Sequence, residues 1–189
     1  MGHQQNNQLG AGCCVLTGKV RGGKTTLVES VVAGLQEKDL RVAGVISRGI
    51  DQEGKRLGYL LVNIESLQKC ILASVNPRSD WFQFRRFYFN PAAIDQGRSW
   101  LKQGLREGAD LLVIDEVGPL ELQGGGWFPV LEEIAKIESP MCQLWVVREQ
   151  SLTEVRERWL PGDVHILHLH QSTSPGIIAH LLDNIERHV

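Results

Sequence analysis

The sequence predicts an α/β domain of three layers, with helices on both sides of a mostly parallel central sheet and a small antiparallel excursion. Outside that excursion, strand-like and helix-like segments alternate along the 189-residue chain, the order that builds parallel sheets. One strand, DLLVID (110–115), is apolar almost from end to end, as expected where helices cover both faces. The first strand leaves through glycines straight into a helical pattern, CCVLTGKVRGGKTTL (13–27), so one strand-to-helix turn is unusually rich in residues of special chemistry.

In chain order, residues 13–17 form a short buried run, and in 25–37 Val28, Val31, Val32 and Leu35 recur on one helical face. Residues 41–47 (RVAGVIS) are a second strand, and 58–63 and 68–74 are the strands of the antiparallel excursion. FQFRRFYF (82–89) alternates and reads as one strand with Phe82, Phe84 and Tyr88 on one side. Asn90 is a good N-cap and Pro91 a good first helical residue; Ile94, Leu101 and Leu105 then recur until Gly108 stops the helix. After the 110–115 strand come a helix over 129–138, a strand over 143–147, a helix over 151–159, a strand over 164–169 and a closing helix over 175–187. No repeat or low-complexity linker divides the chain, so residues 11–189 read as a single domain behind a flexible N-terminus, 1–10.

Composition narrows the function. Apolar content of 42% and charged content of 22% are ordinary for a globular protein. A net charge of −2 spreads no broad positive field, so no nucleic-acid partner is expected. The polar start MGHQQNNQLGAG carries no signal-peptide pattern, and Asn6 breaks the myristoylation pattern that Met-Gly would open. No apolar run approaches a membrane span, so no membrane association is expected. The four cysteines lack zinc-ligand spacing and the adjacent Cys13 and Cys14 make a poor disulfide, which points to a reduced, cytoplasmic protein.

The glycine-rich passage has a chemical reading. Gly18, Gly23, Lys24 and Thr25 complete G-x-x-x-x-G-K-T between a strand and a helix. Small residues let successive backbone N–H groups turn toward a phosphate chain, and the helix start adds its positive dipole end. The expected nucleotide-binding residues are therefore Gly18, Lys19, Val20, Arg21, Gly22, Gly23, Lys24, Thr25 and Thr26, contacting a nucleoside triphosphate such as ATP or GTP. Lys24 is expected to reach the β- and γ-phosphates as a catalytic residue, and Thr25 to bind Mg²⁺. DLLVIDE supplies Asp115 at the carboxyl end of a neighbouring strand to hold the Mg²⁺, with Glu116 as the catalytic base that orients and deprotonates water. Two acids opening a surface loop would mean little alone; beside a phosphate loop they make a site.

LTGKVRGGKTTL followed by VIDEVGPLEL resembles the small P-loop nucleoside-triphosphatase family of the cancer-related and thermophile type. The resemblance implies a single P-loop NTPase domain that slowly hydrolyses ATP, GTP and other nucleoside triphosphates with Mg²⁺. It runs from about Val15 to Leu169. RVAGVISRGIDQEGKRLGYLLV is similar to the family's second strand and Arg-Gly-aromatic hairpin, with Arg56, Gly58 and Tyr59 in place, and VRER (155–158) is similar to its arginine-bearing last-but-one helix. Three positions depart from it: Pro119 follows Gly118 where the family carries lysine, Ile46 and Ser47 replace a tyrosine-threonine pair, and HLHQSTSPG replaces an asparagine-arginine pair after the last strand.

Other features are weaker. Lys19 and Arg21 read as solvated loop residues, FQFRRFYF as a strand rather than a base-stacking surface, and His165, His168 and His170 as structural or solvated. An arginine at the γ-phosphate would come from Arg48, Arg156 or Arg158. Two other classes share the phosphate loop. One is a nucleotide or small-metabolite kinase, which needs an acceptor pocket, for which the 49–74 excursion is the candidate, and usually an arginine-rich lid, which the sequence does not show. The other is a slowly turning GTP- or ATP-binding accessory protein for cofactor biosynthesis.

Overall fold

Alternate residues of the central strands feed two separate cores, and this is why helices cover both faces of the sheet. The structure, a computed structural model, describes residues 12–137 and 141–169 together with Ala179 and Asp183. The expected N-terminal segment 1–10, the closing helix 175–187 apart from Ala179 and Asp183, His170 and most of HLHQSTSPG lie outside the described residues. Cys14 and Leu16 of β1 (Cys13–Gly18), Leu111 and Val113 of β7 (Leu111–Val117) and Leu144 and Val146 of β8 (Cys142–Arg148) pack with Val28, Val31 and Leu35 of α1 (Lys24–Gln36). Their neighbours Val15, Leu112, Ile114, Trp145 and Val147 pack on the other face with Ile94, Trp100 and Leu101 of α2 (Pro91–Glu107). Val130 and Leu131 of α4 (Phe128–Ile134) and Val155 and Trp159 of α5 (Leu152–Trp159) complete that second layer.

The sheet contains β2 (Val42–Gln52), β3 (Lys55–Asn63), β4 (Lys69–Ser74), β5 (Phe82–Phe84), β6 (Phe87–Phe89) and β9 (His165–Leu169) in addition to β1, β7 and β8, in the order β5-β6-β4-β3-β2-β7-β8-β1-β9. β2, β7, β8, β1 and β9 run parallel, while β3, β4, β6 and β5 extend the sheet antiparallel. β8 pairs with both β1 and β7. The strand bearing Asp115 is therefore not the immediate neighbour of the first strand, a correction to the sequence reading, and the end of a third strand enters the gap between them.

Two further boundaries differ. β2 runs past the expected end at residue 47, pairing with β7 only over Val42–Val45 and with β3 out to Gln52. Glu53 (φ 48°) and Gly54 (φ 74°) close this hairpin in the left-handed conformation that suits a tight two-residue turn. FQFRRFYF is a hairpin rather than one strand. Arg85 turns with φ 54°, Phe82 faces Phe89 and Phe84 faces Phe87, which leaves Tyr88 opposite Gln83 on the other side. Stacking of Phe82 on Phe89 (5.8 Å between ring centres) rewards the reversal. The helix expected over 129–138 is α4, beginning at Phe128, and a short α3 (Pro119–Leu122) was not expected. The Asn90 side chain accepts the Ala92 N–H (3.1 Å) and Gly108 caps the far end of α2 with φ 66°, both as the sequence indicated. Among the described residues no helix is long and apolar enough to cross a membrane.

Candidate functional site

The loop between β1 and α1 is shaped by two glycines. Gly18 has φ 148°, and a Cβ there would meet the Leu169 carbonyl oxygen at 2.7 Å, so a side chain would push β1 from β9. Gly23 caps α1 with φ 85°. Between them the Gly22 N–H donates to the Lys19 carbonyl (3.0 Å), and Arg21 sits left-handed at φ 63°. Lys24 opens α1 and folds back so that its Nζ donates to the Gly18 and Lys19 carbonyls, both at 2.9 Å. The side chain is only 7% exposed. Burial pulls the Lys24 ammonium pKa down, while Glu116 and Asp115 pull it back up.

The two acids face this lysine from β7. Asp115 is fully buried and accepts the Ser47 N–H and the Glu116 N–H, each at 2.9 Å. Thr25 Oγ1 lies 3.4 Å from Asp115 Oδ2. Burial pushes the Asp115 carboxyl up to about 7, and the charge of Glu116 adds to it, against the two backbone bonds. Three steps along β7 from Ile114 to Val117 match two along β8, and Glu116 takes φ 65° in the resulting bulge. Such a bulge re-aims a side chain. Glu116 Oε2 accepts from Arg148 Nε (2.9 Å) and pairs with Nη2 (2.8 Å). Burial lowers the Arg148 pKa, and attraction to Glu116 with their hydrogen bond outweighs it, so the guanidinium stays above its ordinary value.

Lys24, Thr25, Thr26, Gly22, Gly23, Arg21, Val20 and Glu116 line one cleft of about 620 Å³. The β2–β3 hairpin forms its opposite wall. Arg21 is exposed, as the sequence indicated, and from there it donates to the Gly54 carbonyl (2.9 Å) and to Asp51 (3.0 Å), tying the loop to the hairpin at the surface. Arg56 also binds Asp51, at 2.9 Å. Lys19 is exposed and offers its carbonyl to Lys24, while Val20 is 68% exposed. Arg48 pairs with Glu29 beside the cleft, but Arg158 pairs with Glu132 and stacks on Phe128, on the far layer. Arg156 shares that helix, α5. Sequence reasoning missed Arg148 and Ser47. WVVRE does end an apolar run in a charge pair, but its place beside Glu116 depends on β8 lying between β1 and β7.

Glu121 of α3 is a second buried acid, 3% exposed, accepting the Gly118 N–H (2.9 Å) and the Trp127 N–H (3.4 Å). Burial pushes its carboxyl from 4.5 to about 7 despite those bonds. The folded chain therefore binds more protons than the unfolded chain between these values. The contribution to stability is complete below about pH 4.5 and is lost as pH rises through about 7, and Asp115 has the same sign. The ligand-free protein is expected to unfold at lower urea at about pH 8 than at about pH 6, with each such carboxyl contributing at most roughly 1.4 kcal/mol per pH unit. Glu121→Gln should flatten the slope. Urea melts of both chains across that range check it, and a wild-type midpoint that does not fall would show both carboxyls titrating normally.

Comparison with known proteins adds an independent line. A family model described as NTPase matches residues 13–180, a span that holds both the loop and the acidic pair. The nucleoside-triphosphatase THEP1 of Thermococcus kodakarensis is 30% identical over 155 residues, covering 80% of this chain and 83% of the relative. Two solved structures share the fold. The crystal structure of THEP1 from the hyperthermophile Aquifex aeolicus matches with a TM-score of 0.73 at 22% identity, over 92% of this chain and 99% of that one. The solution structure of a human cancer-related nucleoside triphosphatase matches with a TM-score of 0.65 at 22% identity, over 94% of this chain and 96% of that one.

Proposed function

This chain belongs to the NTPase family, and on that footing we propose that residues 11–189 act as one domain hydrolysing nucleoside triphosphates, ATP and GTP among them, to the diphosphate and phosphate with Mg²⁺. The supporting observation is convergence: Lys24 and Thr25 from the loop and Asp115 and Glu116 from β7 meet at one end of the sheet, two strands apart. Thr25 Oγ1 and Asp115 Oδ2 are hard oxygen donors 3.4 Å apart, a hydroxyl and one carboxylate of the kind that holds Mg²⁺ when phosphate and water complete its shell. Bound there, Mg²⁺ would neutralise charge on the triphosphate oxygens.

The chain's own groups do the rest. Loop amides from Gly18 to Thr26 cradle the phosphates. Lys24 exchanges its two carbonyl partners for phosphate oxygens and stabilises charge that grows as the γ-phosphoryl group departs. Glu116 orients the attacking water and takes its proton, while Arg148 holds the carboxylate in position. The spacing of the four cysteines, without a zinc-ligand pattern and with Cys13 and Cys14 adjacent, supports a reducing, cytoplasmic setting, and the net charge of −2 argues against a nucleic-acid partner.

Phosphate release from ATP, GTP, CTP and UTP, each with Mg²⁺ and with chelator, tests this. Release should depend on the metal. A loop that reads phosphates through amides and a lysine does not sense the base, so kcat/KM should vary by less than about 100-fold across the four, about 2.7 kcal/mol. Absence of metal-dependent release would overturn the hydrolase; a wider spread would reveal a base pocket.

A further inference from the structure

Hydrolysis leaves one large feature unused. Behind Glu116 lies a second cavity of about 380 Å³. One water occupies about 30 Å³ of liquid, so this space far exceeds what a single attacking water needs and falls in the range of small-molecule sites. Its walls are aromatic and aliphatic, with Tyr59, Phe84, Phe87, Phe89, Ile94 and Trp127 among them. Polar groups line it too, Glu116, Glu121, Arg148 and Ser47 among them. Ser47 is 1% exposed, and its hydroxyl has no hydrogen-bond partner among the described residues. A buried hydroxyl left without a partner is unfavourable unless something else supplies one. Val20, Tyr59 and Glu116 line both this cavity and the phosphate cleft, so the two meet at Glu116.

The β5–β6 hairpin forms part of the wall, and its turn residues Arg85 and Arg86 line the cavity as well. Arg86 stacks over Phe87 at 4.7 Å and donates to the Arg56 carbonyl at 3.4 Å, so it leans back toward the phosphate cleft. An apolar pocket with arginines in its wall, meeting the phosphate cleft at Glu116, suits phosphoryl transfer to an organic acceptor, because an acceptor that fills it excludes competing water.

We propose that this cavity is an acceptor subsite, and that the protein also transfers the γ-phosphoryl group to the hydroxyl of a ring-bearing, nucleoside-sized alcohol seated in it. This rests on the nucleotide occupying the loop as proposed above. The acceptor oxygen forms a bond to the γ-phosphorus and the bond from that phosphorus to the β–γ bridging oxygen breaks. The nucleoside diphosphate leaves with the electron pair. The acceptor's proton passes to the Glu116 carboxylate, and nothing is oxidised or reduced. The Ser47 hydroxyl orients the acceptor, and the aromatic walls select its ring.

The test uses the full chain, Mg²⁺ and ATP labelled at the γ-phosphate, with adenosine, thymidine and 2-phenylethanol offered separately as acceptors. At least one should yield a labelled phosphomonoester beside free phosphate. Phe84→Ala and Ser47→Ala should each lower the ratio of ester to phosphate by at least tenfold, a ratio independent of how much of the preparation is folded. Phosphate release with no ester from any of the three overturns the acceptor subsite and leaves the hydrolase standing. Ester whose share ignores both substitutions places the acceptor elsewhere and overturns it too. Absence of both release and ester overturns the phosphate site and the subsite together.

Discussion

Lys24→Ala is expected to lower kcat by roughly 10²–10³ and to weaken binding of a non-hydrolysable ATP analogue at least tenfold. Lys24 is the cation that the loop encloses: 7% exposed, with Nζ held between the Gly18 and Lys19 carbonyls at 2.9 Å. Burial has already weakened its hold on the proton, and the charges of Glu116, Asp115 and Glu149 offset that against the charge of Arg148. An ammonium kept charged at such a site is ready to gain from a triphosphate, which brings more negative charge than the two carbonyls it replaces. The fold should survive the change. Alanine is the best helix former at the start of α1, and the carbonyl of exposed Lys19 can turn to water. Lys24→Arg should not restore turnover, since a planar fork cannot fill a slot shaped for one point charge. Calorimetric titration of the analogue with Mg²⁺, paired with single-turnover phosphate release, decides the matter. Affinity and rate both matching wild type in Lys24→Ala would remove the phosphate loop from the site.

How much of this was legible in the sequence follows from what each feature depends on. The loop was readable because its requirements are local: Gly18 and Gly23 serve positive φ angles, and Lys24 and Thr25 follow at fixed offsets along one helix start. The strands feeding two cores were readable because burial on both faces leaves an apolar run, as in LLVI (111–114). The β2–β3 hairpin was harder. Beyond Ser47 it overhangs the parallel sheet, so its residues are mostly exposed and charged, and Gly49, Gly54 and Gly58 look like loop residues. FQFRRFYF hid a turn because an Arg-Arg pair is a poor turn signal, and cross-strand ring pairing rather than turn chemistry stabilises it. Arg148 could not be read at all. It meets Glu116 only because β8 inserts between β1 and β7 and because a bulge turns Glu116 around, and both are facts of strand order.

Glu116→Gln is expected to slow single-turnover phosphate release by about 10²–10⁴ while leaving affinity for the Mg²⁺-bound analogue nearly unchanged. The substitution keeps the side chain's size, the left-handed backbone at φ 65° and the Ile114–Val117 bulge, but removes the base. Thr25 and Asp115 are untouched, so the metal oxygens stay in place. Arg148 complicates the outcome, and a double substitution separates its two possible jobs. In the ligand-free protein its Nε and Nη2 both reach Glu116 Oε2. If it acts only by holding that carboxylate, Arg148→Met should slow release alone, yet add nothing on top of Glu116→Gln, because the group it positions is already gone. If instead it turns to the γ-phosphate and stabilises charge there, the two losses should multiply. The first result is expected, since the guanidinium is tied to Glu116 by both hydrogen bond and charge. Unchanged release in Glu116→Gln with intact analogue binding would strip Glu116 of its role as base. Severely weakened binding would place it among the metal-site residues instead.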